Sequence, residues 1–283
     1  MSNAPQIVTT VAELRHRIKA LRQDGAKIGL VPTMGALHAG HLSLTRQITN
    51  HADVVVVSIF VNPTQFAPHE DFDRYPRTLM ADAEKLGASG ETDLIFAPQV
   101  TELYPNGFAT RVEVKGPALG LEADVRPHFF SGVTTVVSKL LIAAMPDVAM
   151  FGEKDYQQLL VVRRMVEDLG LNIRILGAPI VRERDGLAMS SRNAYLSENE
   201  RKIAGQLNVI LQNLIAKVRD GMPIADAEES GKAAVLEAGF NSVDYLTLRD
   251  AETLAPLSSL ERPARVLVAA TVGSTRLLDN MAV

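Results

Sequence analysis

The sequence predicts an α/β protein: a parallel sheet in the first two thirds of the chain and a smaller α+β unit behind it. Three observations carry this. Short unbroken apolar runs alternate with segments of helical periodicity. One of those runs, within Asp53 to Val61, is apolar enough for a strand buried on both faces. After Val181 the texture changes to the charged, turn-prone Arg182-Glu183-Arg184-Asp185-Gly186. A length of 283 residues agrees with about two folded units.

Taken in order, Lys27 to Val31 reads as a strand, Gly40 to Asn50 as a helix and Asp53 to Val61 as the second strand of a βαβ unit. Thr78 to Leu86 reads as a helix, Leu94 to Ala97 as a strand and Gly132 to Met145 as a helix. Val148 to Phe151 follows as a strand, Asp155 to Leu169 as a helix, and Ile173 to Leu176 as the last parallel strand. With right-handed crossovers this is a Rossmann-like domain, expected over residues 1–182, whose ligand belongs at the carboxyl ends of the strands. Residues 183–283 are expected to form the second domain. There Ser197 and Glu200 make a capping box at the head of a long helix. Ile224 to Ala238 reads as another helix, and Val243 to Arg249 and Arg265 to Val272 as strands.

Composition narrows the chemistry. The chain has no cysteine, which removes disulfides, Cys-ligated metal and thiol nucleophiles. Lys and Arg total 29 against 33 Asp and Glu, the opposite of the balance expected of a protein that coats nucleic acid. The runs Val54 to Val57 with Ile59 to Val61, and Leu140 to Met145, fall far short of the roughly 18 apolar residues of a membrane span. The segment up to Ala20 carries Glu13, Arg15, Arg17 and Lys19 without a signal-type apolar core. The expected compartment is the cytoplasm, with neither nucleic acid nor membrane as partner.

Four stretches sit where a doubly wound sheet does its chemistry. Met34-Gly35-Ala36-Leu37-His38-Ala39-Gly40-His41 joins the first predicted strand to its helix, where backbone N–H groups and the positive helix end favour phosphate. His38 and His41, three apart, share one face at the helix start, and both rings can donate to phosphoryl oxygens. Two unrelated capping or surface histidines are the bland alternative. Asn62 and Gln65, after Phe60 and Val61, project amides over the same edge and can bind hydroxyls or a carboxylate; a plain strand-ending turn would look the same. Gly152-Glu153-Lys154-Asp155 follows a later strand. There Lys154 offers a point charge and Gln158 lies one helical turn on, unless Asp155 is only an N-cap beside a solvated lysine. Met189-Ser190-Ser191-Arg192-Asn193 brings two hydroxyls and a guanidinium at the domain boundary, or a linker to Ser197.

Together, HxGH after the first strand and MSSRN after the last resemble the motifs of nucleotidyltransferases and class I aminoacyl-tRNA synthetases. PTMGALHAGH, SIFVNPTQF, RYPRTL, FGEKDYQQL and MSSRN, in that order, resemble the pantoate–beta-alanine ligase family through essentially the whole chain. The resemblance implies ATP- and Mg2+-dependent condensation of pantoate with beta-alanine through a non-covalent pantoyl adenylate, in a homodimer. It implies His41, His38, Lys154 and Arg192 as catalytic. ATP would be bound by Met34 through His41, by Gly152, Glu153, Lys154 and Asp155, and by Val181, Met189, Ser190, Ser191 and Arg192. Pantoate would be held by Gln65, Gln158, Met34 and Phe60, with Gln65 also near beta-alanine, and Asp82 would be a metal-proximal acid. Arg126 and His128 would border the site or serve structure alone. Residues 183–283 are expected to act as a lid that keeps water from the adenylate. Three rivals remain: an adenylyltransferase acting on a phosphate ester, which would favour Arg or Lys over the paired glutamines; an RNA-binding or tRNA-charging module, which the net charge disfavours; and a catalytically silent binding protein, which the intact set of phosphate-facing residues disfavours.

Overall fold

The computed structural model describes residues 4–23, 25–67, 70 and 72–283. In chain order the regular elements are β1 (Gln6–Val8), α1 (Val11–Gln23), β2 (Ile28–Thr33), α2 (Ala39–Ile48), β3 (Val54–Ile59), α3 (Leu79–Ser89), β4 (Leu94–Phe96), α4 (Val100–Leu103), α5 (Glu122–Val125), α6 (Phe129–Ala144), β5 (Val148–Gly152), α7 (Tyr156–Asp168), β6 (Arg174–Ala178), α8 (Glu198–Arg219), α9 (Ile224–Glu237), β7 (Ser242–Asp250), β8 (Ala264–Val272) and β9 (Thr275–Ala282).

The first six strands form one sheet in the order β1-β4-β3-β2-β5-β6, with every pairing parallel. From β2 the chain builds outward through β3 and β4, then returns to place β5 on the other flank of β2. The reversal between β2 and β5 is the point at which open α/β sheets hold their ligands. In β3 the sequence VVVVSI is buried at all but its last position, as a strand covered on both faces requires. Gly29 lets α2 lie close over β2: a methyl group there would come within 2.8 Å of the Ile48 Cδ1. Val31, Leu37, Leu44, Ile48, Val57 and Ile95 pack as one core beneath this helix.

A second sheet is antiparallel, β7-β8-β9, and is packed with α8 and α9 around Leu207, Leu211, Val235, Leu246, Val266 and Val268. Helix α8 starts as the Ser197 and Glu200 pattern predicts: the serine hydroxyl takes the Glu200 N–H, and the glutamate carboxylate takes the Ser197 N–H at 2.8 Å. The described residues divide into two compact units: residues up to Glu153 with Gln158–Pro179, and Lys154–Gln157 with Ile180–Val283. Sequence texture puts the boundary at residue 182; the grouping begins the later unit at Ile180 and adds Lys154–Gln157 to it. Neither β1, α1 nor β9 was expected from the apolar pattern. Among the described residues no helix is long and apolar enough to cross a membrane.

Candidate active site

The loop from β2 to α2 is built around its two histidines. His38 is the N-cap of α2, with φ −132° and ψ 176°, and its Nδ1 accepts the Gly40 N–H at 3.1 Å. His41 sits at the third helical position and its Nδ1 accepts the His38 N–H at 3.4 Å. This is the reciprocal pattern of a Ser/Glu capping box with imidazoles in both roles, which explains the spacing of three. With both Nδ1 atoms accepting, each ring carries its proton on Nε2 and presents a donor there. The ring centroids are 4.1 Å apart.

The backbone ahead of His38 serves a different anion from the one expected. Gly35 and Ala36 both adopt left-handed conformations, with φ of 83° and 50°, which turns successive N–H groups inward to form an anion-binding concavity. Asp82 of α3 fills it. Its carboxylate accepts the Ala36 N–H at 2.9 Å, the Leu37 N–H at 2.8 Å and the Thr78 hydroxyl at 3.0 Å, and the residue is 0% exposed. Two of the N–H groups expected to bind ATP are therefore spent on a carboxylate. The expected role of Asp82 beside Mg2+ does not fit this geometry, because the side chain is sealed from solvent and engaged by three protein donors. Among the described residues no group of three His, Cys, Asp or Glu is arranged to hold a metal.

At the end of β3, adjacent in the sheet to β2, Asn62 is fully buried and organises the neighbouring turn. Its amide donates to Gln65 Oε1 at 2.9 Å and to the Gly132 carbonyl at 3.2 Å. Its oxygen accepts from the Tyr104 hydroxyl at 2.9 Å and the Thr64 hydroxyl at 3.0 Å. Burial pushes the Tyr104 phenol above its ordinary pKa, opposed in part by its bonds with Thr64 and Asn62, so it remains a donor. With Gln65 Oε1 accepting from Asn62, the other end of the Gln65 amide is its NH2, a donor. Phe60 is buried, with its ring centroid 6.3 Å from that of Tyr104. Arg126 donates to the Gln65 carbonyl at 2.9 Å and is itself gripped by Glu70 at 2.6 and 2.7 Å, a structural role in support of the turn. Asn62 was legible as a strand-end amide; Tyr104 carried no signal, since it lies in an unremarkable loop 42 residues away.

In the later unit, Lys154 and Asp155 lie in a single helical turn, Glu153–Asp155, whose Glu153 belongs to the earlier one, with Lys154 Nζ 3.9 Å from the Asp155 carboxylate. Asn280 of β9 donates to the Lys154 carbonyl at 2.9 Å, and Arg265 lies 3.8 Å over the Tyr156 ring. The next residue of sequence on β9 toward the N-terminus, Asp279, takes Arg182 in a bidentate pair at 2.7 and 2.8 Å. Arg182 opens a tight hairpin in which Met189 N–H donates to the Val181 carbonyl at 3.0 Å. Ser190 then caps the turn Ser191–Tyr195 by accepting the Arg192 N–H at 3.3 Å. The segments expected to contact ATP from this unit thus converge on one strand, β9. Gln158 stands half-buried in α7, whose residues from Gln158 onward group with the earlier unit, as does Gly152 at the end of β5.

A doubly wound sheet whose switch-point helix is capped by imidazoles defines a nucleotide-binding α/β protein. The family model described as pantoate-beta-alanine ligase matches residues 6–282, and the chain belongs to that family. It is 55% identical over 285 aligned residues to a pantothenate synthetase of Bradyrhizobium sp., with all of both chains covered. The crystal structure of a pantothenate synthetase from Thermus thermophilus matches with a TM-score of 0.91 at 48% identity over 98% of each chain. A pantoate-beta-alanine ligase from Francisella tularensis, solved with beta-gamma ATP and beta-alanine, matches with a TM-score of 0.82 at 34% identity, covering 98% of this chain and 97% of that one. The protein is an amide-bond-forming ligase of pantoate and beta-alanine.

Proposed function

We propose that the ligase works by adenylation, and that the paired Nε2–H donors of His38 and His41 are the feature that carries this reading. A carboxylate resists an amine because oxide is a poor leaving group. In the first step a pantoate carboxylate oxygen attacks the α-phosphorus of ATP, and pyrophosphate leaves with the electrons of the broken P–O bond. In the second, the neutral amine of beta-alanine attacks the acyl carbon, AMP leaves with its oxygen, and the amine gives up a proton. Neither step needs an enzyme nucleophile, which suits a chain without cysteine. What is needed is alignment and preorganised donors around a phosphorus whose oxygens gain charge, each worth about 3 to 4 kcal/mol in comparable sites.

On this reading His41 and His38 donate to phosphoryl oxygens, and Lys154, Ser190, Ser191 and Arg192 bind and neutralise the phosphates. Met34, Gly35, Ala39 and Gly40 line the nucleotide with Gly152, Glu153, Asp155, Val181 and Met189; Ala36 and Leu37 contribute only through groups other than the N–H that Asp82 holds. The NH2 of Gln65 and the amide of Gln158 hold pantoate, Met34 and Phe60 meet its methyl groups, and Gln65 also meets beta-alanine. Mg2+ would be held by ATP and water more than by this chain's side chains, and would offset the charge of the phosphates. The protein works in the cytoplasm as a homodimer, which light scattering on the purified chain reads directly.

The test is pantoate-dependent exchange of labelled pyrophosphate into ATP in the absence of beta-alanine. Exchange is expected for the intact protein and a loss of orders of magnitude for His41→Ala. No exchange in the intact protein overturns the adenylate, and exchange driven by amino acids in place of pantoate moves the substrate assignment.

A further inference from the structure

Three residues on one face of α3 and at its N-cap, Thr78, Asp82 and Lys85, spaced four and three apart, converge on the loop before α2. Asp82 takes the N–H groups of Ala36 and Leu37, and Thr78 steadies the same carboxylate. Lys85 Nζ donates to the Leu37 carbonyl at 2.7 Å. The peptide between Leu37 and His38 is therefore held at both ends: its C=O by Lys85 and its N–H by His41 Nδ1. Rotation of that peptide would withdraw the His38 N–H, the donor that orients the His41 ring. A side chain at residue 35 would come within 3.1 Å of Asp82 Oδ2 on a backbone with φ 83°, so Gly35 is what admits the carboxylate.

We propose that Asp82 is a positioning residue of the ligase reaction: its buried carboxylate fills the turn at Gly35 and Ala36 and, with Lys85, sets the peptide that aims the Nε2 atom of His41. The proposal rests on the histidine pair acting on the phosphates. Asp82 touches no substrate; it acts through the loop. A displacement of about 1 Å at a reacting group costs on the order of a hundredfold in rate.

The isosteric Asp82→Asn variant keeps the volume but puts an amide NH2 against one of the two N–H donors. It is expected to lower kcat for pantoate-dependent pyrophosphate exchange by about tenfold to a hundredfold, with KM for pantoate changed less than threefold and the Mg2+ concentration for half-maximal rate unchanged. In the His41→Ala background the same substitution should cost less than threefold, because there is no His41 ring left to misdirect. Lys85→Met, exposed enough to leave folding intact, should reproduce a milder kcat loss. Wild-type kcat in Asp82→Asn, an undiminished effect in the His41→Ala background, or a shift of the Mg2+ midpoint each overturns the proposal, the last by making Asp82 a metal ligand. Full exchange in His41→Ala alone would instead overturn the histidine reading, so the two failures are distinguishable.

Discussion

His38 and His41 together cap the N-terminus of α2: the His41 ring accepts the His38 N–H while the His38 ring accepts the N–H of Gly40. On the proposed function, stability and chemistry draw on opposite nitrogens of the same rings, and a substitution can separate them. Asparagine caps helices as well as any residue, so His38→Asn should keep unfolding stability within about 0.5 kcal/mol, whereas His38→Ala should lose about 1 kcal/mol. Neither variant has the Nε2–H of the imidazole, and the shorter asparagine amide does not reproduce its reach, so both should lose pyrophosphate exchange alike. Chemical denaturation and exchange on the same preparations decide it; a fully active His38→Asn would reduce the ring to a cap.

The orientation of the Gln65 amide depends on Asn62. Asn62→Asp replaces the NH2 that faces Gln65 Oε1 and the Gly132 carbonyl with a second acceptor, leaving buried groups unmatched at about 1–3 kcal/mol. The expected signature is a pantoate KM raised more than tenfold, with KM for ATP little changed. Tyr104→Phe removes one donor to Asn62 and should raise the same KM a few-fold. Steady-state kinetics with each substrate varied in turn measures both.

Gly132 in α6 is where the helix meets the turn that carries Gln65. A methyl group there would lie 2.3 Å from the Thr64 carbonyl oxygen, a backbone atom that cannot move without moving the turn. Gly132→Ala would normally favour a helix, yet here it should destabilise by about 1–3 kcal/mol through overpacking and weaken pantoate binding. A thermal melt showing equal or higher stability would mean that the turn yields freely.

Asp185 lies in the hairpin ahead of Met189 and faces Arg201 of α8, with Arg201 Nη2 at 3.0 Å from Asp185 Oδ1. The hydrogen bond from Arg201, helped by the Leu187 N–H, holds its carboxyl below the usual carboxylate range. A pKa depressed by folding gives stability that is present above the unfolded value, near 3.9, and lost as pH falls through the folded one. The stability difference between the intact protein and Asp185→Asn should be constant from pH 7 to about pH 5 and shrink below about pH 4. Melts across pH 7 to 3 test this; a difference that grows in acid contradicts the pairing.

Strong apolar runs and motif-bearing loops were readable because one residue type dominates each. The VVVVSI strand declares itself by burial on both faces, and the Ser197 and Glu200 capping box by spacing alone. Strand β9 was hidden because two of its buried positions, Asp279 and Asn280, are polar and serve Arg182, Lys154 and Arg265 from opposite faces of the strand. An apolar pattern cannot reveal a strand whose interior partners are charged groups far off in sequence. Asp82 illustrates the same limit within the site. The family resemblance implies a metal-proximal acid at Asp82, and only the left-handed turn at Gly35 and Ala36 shows that the carboxylate meets backbone N–H groups instead. Gln65 was legible as a residue type but not in orientation, which Asn62 and Tyr104 fix.

The grouping of Lys154–Gln157 with the residues from Ile180 onward bears on how the protein can be cut. A fragment expressed from residue 180 would carry β9 complete, yet Asn280 would lack the Lys154 carbonyl and Arg265 the ring of Tyr156. The later unit is discontinuous in the gene, so no single pair of termini isolates it whole.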